Sequence, residues 1–160
     1  MVSWVLYPVV ILVALYAVWG LVLMFLQPRL LYRPIRDVAF TPADVSLDHE
    51  DVAFESSDGV RLTGWYIPAP RARFTVLFCH GNGGNMMHSL DTLSLFHGFG
   101  VNCFIFDYRG YGASEGRPSE RGTYRDVKAA YNWLVRHKQI PSERIIVFGR
   151  SLGGSIATHL

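Results

Sequence analysis

The stretch Ile145-Ile146-Val147-Phe148-Gly149-Arg150-Ser151-Leu152-Gly153-Gly154 decides the fold. Its first four residues are a continuous apolar run, the pattern of a parallel strand covered on both faces. The following Gly-x-Ser-x-Gly reads as a sharp strand-to-helix turn that lifts a serine hydroxyl to the top of the sheet. A serine is a weak nucleophile until a base takes its proton and donors stabilise the oxyanion formed on attack. Ser151 is therefore the candidate catalytic residue. Gly149 and Gly153 let the backbone turn tightly, and Leu152 N–H, at the start of the next helix, is the first candidate oxyanion donor.

Two further apolar runs precede this one, at residues 74–79 and 101–106, and both read as buried parallel strands. Between the second and third, Val127, Ala130, Tyr131, Leu134 and Val135 recur at helical spacing. Thr123 and Asp126 predict a capping box at the start of that helix, and Pro141 lies beyond its end. A second helix is expected between Asn85 and His97. Upstream, residues 52–55 and 60–67 flank Ser57-Asp58-Gly59, where Asp-Gly between strand-like runs signals a hairpin. The pattern is thus an antiparallel hairpin followed by alternating strand and helix, an α/β class chain.

The loop His80-Gly81-Asn82-Gly83-Gly84-Asn85 follows the first parallel strand, where a second oxyanion donor is expected; Asn82 N–H is the candidate. A phosphate cradle fits this loop poorly. The dinucleotide spacing needs a third glycine where Met86 stands, and no Gly-Lys-Ser or Gly-Lys-Thr follows. His80 reads as a structural residue, because the base of such a serine comes later in the chain.

The first 28 residues have another character. No charged side chain occurs from residue 2 to residue 26, long enough for a helix to cross a bilayer, which takes about 20 apolar residues. A secretory signal fits less well, since the leader has no Lys or Arg and Gln27-Pro28-Arg29 is a poor cleavage context. Trp4 and Tyr7 suit an interfacial aromatic belt, whereas Trp19 lies too deep. Arg29, Arg33 and Arg36 follow the span, so the positive-inside rule puts the remainder of the chain in the cytoplasm. The expected organisation is a membrane anchor over residues 1–28, a Pro-interrupted tether over 29–48 near the membrane surface, and a globular domain over 49–160. Cys79 and Cys103 sit in apolar runs without metal or redox spacing and read as packed thiols. A net charge of +2 without a basic cluster beyond those arginines gives no nucleic-acid footprint.

Taken in order, the 80–85 loop, Asp107-Tyr108-Arg109-Gly110-Tyr111-Gly112-Ala113-Ser114-Glu115-Gly116 and the Ser151 turn resemble the successive signatures of an α/β-hydrolase, and most resemble membrane-anchored members of the Bem46-like group, often labelled serine aminopeptidase-type hydrolases. The resemblance covers residues 29–160, the N-terminal half of such a fold. It implies a serine hydrolase acting on a small-molecule ester, thioester or amide without cofactor or metal. Ser151 matches the nucleophile, Asn82 and Leu152 the oxyanion positions, and His80, Gly81, Asp107, Arg109, Gly149 and Gly153 the loops that shape the site. Asp107 is expected to pair with Arg109 or with loop amides. No residue matches the family's catalytic acid or histidine. His159 lies eight residues past Ser151, about 12 Å along a helix, and surface roles are expected for His88, His97, His137, Asp126 and Glu143. The alternative expectation is a catalytically inert, membrane-anchored fragment in which the last strand is left as an unprotected edge.

Overall fold

The computed structural model describes the backbone of residues 2–160 and the side chains of residues 6–160. The Trp4 side chain, expected in an aromatic belt, lies outside the described residues. The chain divides into two compact units, residues 1–32 and 33–160.

The first unit is a single helix, α1 (Val2–Leu31), with Pro8 and Pro28 inside it and Arg29 in its last turn. Its described residues from Leu6 to Leu31 are apolar around the whole circumference, with none buried, and are long enough to cross a membrane. The helix continues past residue 28, the expected end of the anchor, so Pro28 sits within its last turns.

The second unit is built on a mixed sheet. Its strands are β1 (Arg33–Pro34), β2 (Glu50–Glu55), β3 (Arg61–Ile67), β4 (Thr75–Cys79), β5 (Gly83–Gly84), β6 (Asn102–Phe106) and β7 (Ile145–Gly149), and its helices are α2 (Leu90–Gly98), α3 (Glu120–Arg136) and α4 (Leu152–Ala157). The main sheet has the order β2-β3-β6-β4-β7, while β1 and β5 form a separate pair. The β2–β3 hairpin is antiparallel, β3 joins β6 antiparallel, and β6–β4 and β4–β7 are parallel. The chain leaves β4 through α2 to reach β6 on one side, then returns through α3 to β7 on the other. Such a reversal opens a crevice at the carboxyl ends of the strands.

Period-2 alternation sends side chains to both faces of the sheet. On one face Trp65, Ile67, Val76, Phe78, Cys103 and Ile105 pack with Leu90 and Leu93 of α2 and with Leu47 and Met86. On the other, Phe104 stacks on Trp133 of α3 with ring centroids 4.7 Å apart, and Phe54 lies 5.8 Å from Phe104. Each fully buried side chain of this size contributes about 1.5–3 kcal/mol. Both thiols are free and buried. Burial pushes each of them up to about 12, which leaves them unreactive near neutral pH.

Three sequence expectations are corrected here. Helix α3 begins a turn earlier than the Thr123–Asp126 box implied, because Ser119 is the N-cap and its side chain accepts from Gly122 N–H at 3.2 Å. Asp126, expected at the surface, is 0% exposed on the buried face of α3. Strand β7 is an edge in the described sheet, and Ile146 and Phe148 on it are 47% and 37% exposed. The segment after α1, expected as a tether, is held to the globular unit: Arg33 pairs with Gly83 and Pro34 with Gly84, and Asn85 Nδ2 donates to the carbonyls of Ile35 and Asp37 at 3.1 and 2.6 Å.

Candidate active site

Cys79 at the end of β4 faces Gly149 at the end of β7, so the loop after one strand and the turn after the other lie side by side. Arg150 N–H donates to the Cys79 carbonyl at 3.0 Å and carries this pairing past the strand ends. Ser151 then takes φ 53° and ψ −120°, a region nearly reserved for glycine, as N-cap of α4. Two tight approaches hold it there. A side chain at Gly149 would collide with the Gly153 backbone, and one at Gly153 with the Cys79 carbonyl, so neither position tolerates a Cβ. Turn and helix start are closed by Gly153 N–H to Arg150 O at 2.9 Å and Gly154 N–H to Ser151 O at 2.8 Å.

The Ser151 hydroxyl is exposed and makes no hydrogen bond with the described residues. It opens on a cleft of about 370 Å³ whose wall includes His80, Gly81, Asn82, His88 and Arg150. The structure therefore brings together Ser151, the 80–82 loop and, one residue on at the start of α4, the half-buried Leu152.

Beneath the cleft the loop is fixed by groups whose roles the sequence did not disclose. Tyr108 Oη donates to the His80 carbonyl at 2.9 Å and Tyr111 Oη to the Asn82 carbonyl at 2.8 Å. Asp107 Oδ1 accepts Met86 N–H at 2.7 Å, so of the two partners expected for Asp107 the structure selects a loop amide. His80 Nε2 stands 3.3 Å from the same oxygen, and His80 Nδ1 lies 2.8 Å from the Gly81 carbonyl. The His80 ring also contacts Tyr108 and Tyr111, with centroids 4.3 and 5.2 Å away. A phenol that donates to a backbone carbonyl leaves no periodic signal, so only the motif as a whole pointed here.

Arg109 does not line the cleft. It forms a buried ion pair with Asp126, 2.8 Å from Nη2 to Oδ1, and a second pair with Asp58 of the hairpin turn, 2.8 Å from Nη1 to Oδ2. Arg109 hydrogen bonds hold the Asp58 carboxyl well below its ordinary value, and Asp58 in turn raises the Arg109 guanidinium. Burial pushes the Asp126 carboxyl up, against the pull of Arg109. The arginine thus ties the loop after β6 to α3 and to the β2–β3 turn.

The histidines occupy separate positions. His88 is exposed on the cleft wall, and its Nδ1 accepts Asn85 N–H at 3.2 Å. His159 lies beyond α4 and stacks on Tyr124 at 4.0 Å. His137 stacks on Trp133, and Glu143 is exposed as expected. No cluster of His, Cys, Asp or Glu able to hold a metal occurs among the described residues. An exposed serine on a strained elbow beside backbone-rich loop and helix ends is suited to acyl transfer.

Known proteins resemble this chain in sequence and fold. Residues 75–160 match the family described as alpha/beta hydrolase fold. The chain is 41% identical over 146 residues to the alpha/beta hydrolase domain-containing protein WAV2 of Arabidopsis thaliana, covering 86% of this chain and 47% of that one. It is 36% identical over 124 residues to protein bem46 of Schizosaccharomyces pombe, covering 75% of this chain and 42% of the relative. Among solved structures, the Pyrococcus furiosus esterase Pf2001 superposes with a TM-score of 0.68 at 30% identity, over 79% of this chain and 49% of the esterase. The chain spans about half the length of the curated relatives it matches. With the three motifs gathered at the carboxyl ends of a mixed sheet, the chain belongs to the α/β-hydrolase family and is of the Bem46-like type.

Proposed function

We propose that this chain carries the nucleophile and oxyanion donors of a membrane-anchored serine hydrolase. Ser151 Oγ attacks the carbonyl carbon of an ester, thioester or amide, its proton passes to a general base, and the carbonyl electron pair moves onto oxygen. Leu152 N–H and Asn82 N–H are assigned to that oxyanion. Collapse expels the alcohol, thiol or amine with the proton, and water then releases the acid from Ser151. No step calls for a cofactor. The likeness to a solved esterase favours an ester.

The observation that carries this reading is the backbone of Ser151 itself. A non-glycine residue at φ 53° and ψ −120° costs about 1–3 kcal/mol, and strain of this kind persists where surrounding structure enforces it. The general base and the acid that orients it are assigned to residues outside these 160, because His80 is turned onto Asp107, His88 is engaged with Asn85, and Ser151 has no bonded partner among the described residues. Helix α1 is assigned as the membrane anchor, and Arg29, Arg33 and Arg36 favour a cytoplasmic globular unit.

The test is hydrolysis of a panel of esters, thioesters and amides by the protein as its own cell makes it, against a Ser151→Ala variant. Turnover that depends on Ser151 is expected, with esters cleaved fastest. Undiminished turnover in the variant would remove the nucleophile, and absence of turnover on all three classes would favour an inert fragment.

A further inference from the structure

Three consecutive carbonyls of the loop after β4 are each held by a hydrogen bond. The His80 carbonyl accepts Tyr108 Oη at 2.9 Å, and the Asn82 carbonyl accepts Tyr111 Oη at 2.8 Å and Arg33 N–H at 3.1 Å. The Gly81 carbonyl between them lies 2.8 Å from Nδ1 of the imidazole one residue before it. A carbonyl oxygen only accepts, so this bond requires the proton to sit on Nδ1. The other ring nitrogen, Nε2, stands 3.3 Å from Asp107 Oδ1 but makes no hydrogen bond among the described residues. Nδ1 is thus the nitrogen through which the buried ring acts on its surroundings.

The peptide unit that ends in the Gly81 carbonyl also carries Asn82 N–H. It is planar and trans, so its C=O and N–H point in opposite directions. Holding the carbonyl toward the His80 ring, which is 2% exposed, turns the amide proton away from that ring. The same unit borders the serine, since a methyl group on Gly81 would lie 3.8 Å from Ser151 Cβ. Donation to a carbonyl also polarises the amide it belongs to, which makes its N–H a stronger donor. The imidazole is itself kept in place by the Tyr108 and Tyr111 rings and by the Asp107 carboxylate beside Nε2.

We propose that His80 is a positioning residue for the oxyanion: its Nδ1–H fixes and polarises the 81–82 peptide so that Asn82 N–H meets the oxygen on which charge develops. The assignment rests on the reading of Ser151 as nucleophile and of Asn82 N–H as an oxyanion donor. His80 acts through that amide and takes no proton from the serine. Its contribution is made in the transition state, where the oxygen is charged, and not in the binding of the uncharged ester.

The first readout needs no catalysis and no variant. In the protein as its own cell makes it, labelled with nitrogen-15 histidine and held in detergent micelles near neutral pH, His80 Nδ1 should resonate as a proton-bearing nitrogen. An Nδ1 without a proton would overturn the proposal. The second readout is hydrolysis of p-nitrophenyl acetate. His80→Asn puts an amide N–H in the place of Nδ1, whereas His80→Gln, nearer to histidine in size, puts its amide in the place of Nε2. A misaligned catalytic group costs up to about 100-fold, so His80→Gln is expected to lower kcat by about 10- to 100-fold with KM little changed. His80→Asn should recover most of that loss. Equal losses in the two variants, a greater loss in His80→Asn, a change in KM alone, or a kcat indifferent to both would overturn the proposal. Failure of the Ser151 reading shows itself separately, as turnover that survives Ser151→Ala.

Discussion

His80 Nε2 lies 3.3 Å from Asp107 Oδ1 with the side chains 2% and 0% exposed. The pair sits directly under the loop that carries Asn82, and Asp107 also accepts the Met86 amide. Replacing Asp107 by Ala strands that amide and takes the carboxylate away from beside the imidazole. Leaving a buried donor unsatisfied costs about 1–3 kcal/mol, so Asp107→Ala is expected to lower the urea midpoint followed by the fluorescence of Trp65 and Trp133. Asp107→Asn, whose amide oxygen can still accept from Met86, should lose less. Equal losses would show that the carboxamide cannot take over the Met86 bond.

Arg109→Met removes the counter-charge from Asp126, which is fully buried. Breaking a buried pair in this way costs about 3–5 kcal/mol. The pH dependence has a definite sign. Asp58 is held below its unfolded value, so the stability it supplies is complete above about pH 4 and is lost as pH falls below that. Without Arg109 both carboxyls rise, and protonation relieves the unpaired charge on Asp126. The destabilisation caused by Arg109→Met should therefore shrink as pH drops from 7 to below 4 in denaturant titrations. A penalty that stays constant over that range would mean that packing of the guanidinium, and not its charge, is what the loop uses.

Ser151→Gly and Ser151→Ala both remove the hydroxyl, yet only glycine relaxes the backbone at φ 53°. The glycine variant should be more stable than the alanine variant by about 1–3 kcal/mol, read as a higher thermal midpoint. Gly153→Ala acts in the opposite sense, since its Cβ meets the Cys79 carbonyl, and should destabilise strongly.

Removing residues 2–26 takes away the uncharged part of α1 and leaves Arg29 and the β1 pairing in place. The shortened chain should leave the membrane fraction on carbonate extraction while the intact chain stays. Intact chain in the soluble fraction would contradict the anchor, and a mature amino terminus after Gln27 would assign α1 to a cleaved signal instead.

The strand runs at 75–79, 102–106 and 145–149, and the Asp-Gly hairpin, were legible because continuous apolar runs and turn residues are local signals. The elbow at Ser151 was legible for the same reason. What the sequence hid depends on distant backbone. The two-residue strands β1 and β5 have no side-chain pattern, and the pairing of Arg33 with Gly83 is invisible until the chain is folded. Asp126 carried a helix-cap spacing with Thr123, and its partner Arg109 lies 17 residues upstream on another loop, so the local rule gave way to a buried ion pair. Tyr108 and Tyr111 carried no individual signal in the sequence, but their hydroxyls secure the His80 and Asn82 carbonyls of the 80–85 loop.

The assignment of Ser151 as nucleophile is tested most directly by treating the membrane-bound protein, as its own cell makes it, with a fluorophosphonate and mapping the adduct by peptide mass. A single adduct on Ser151, absent from Ser151→Ala, is the expected result. An adduct on any other residue, or one of equal strength in the variant, would contradict it.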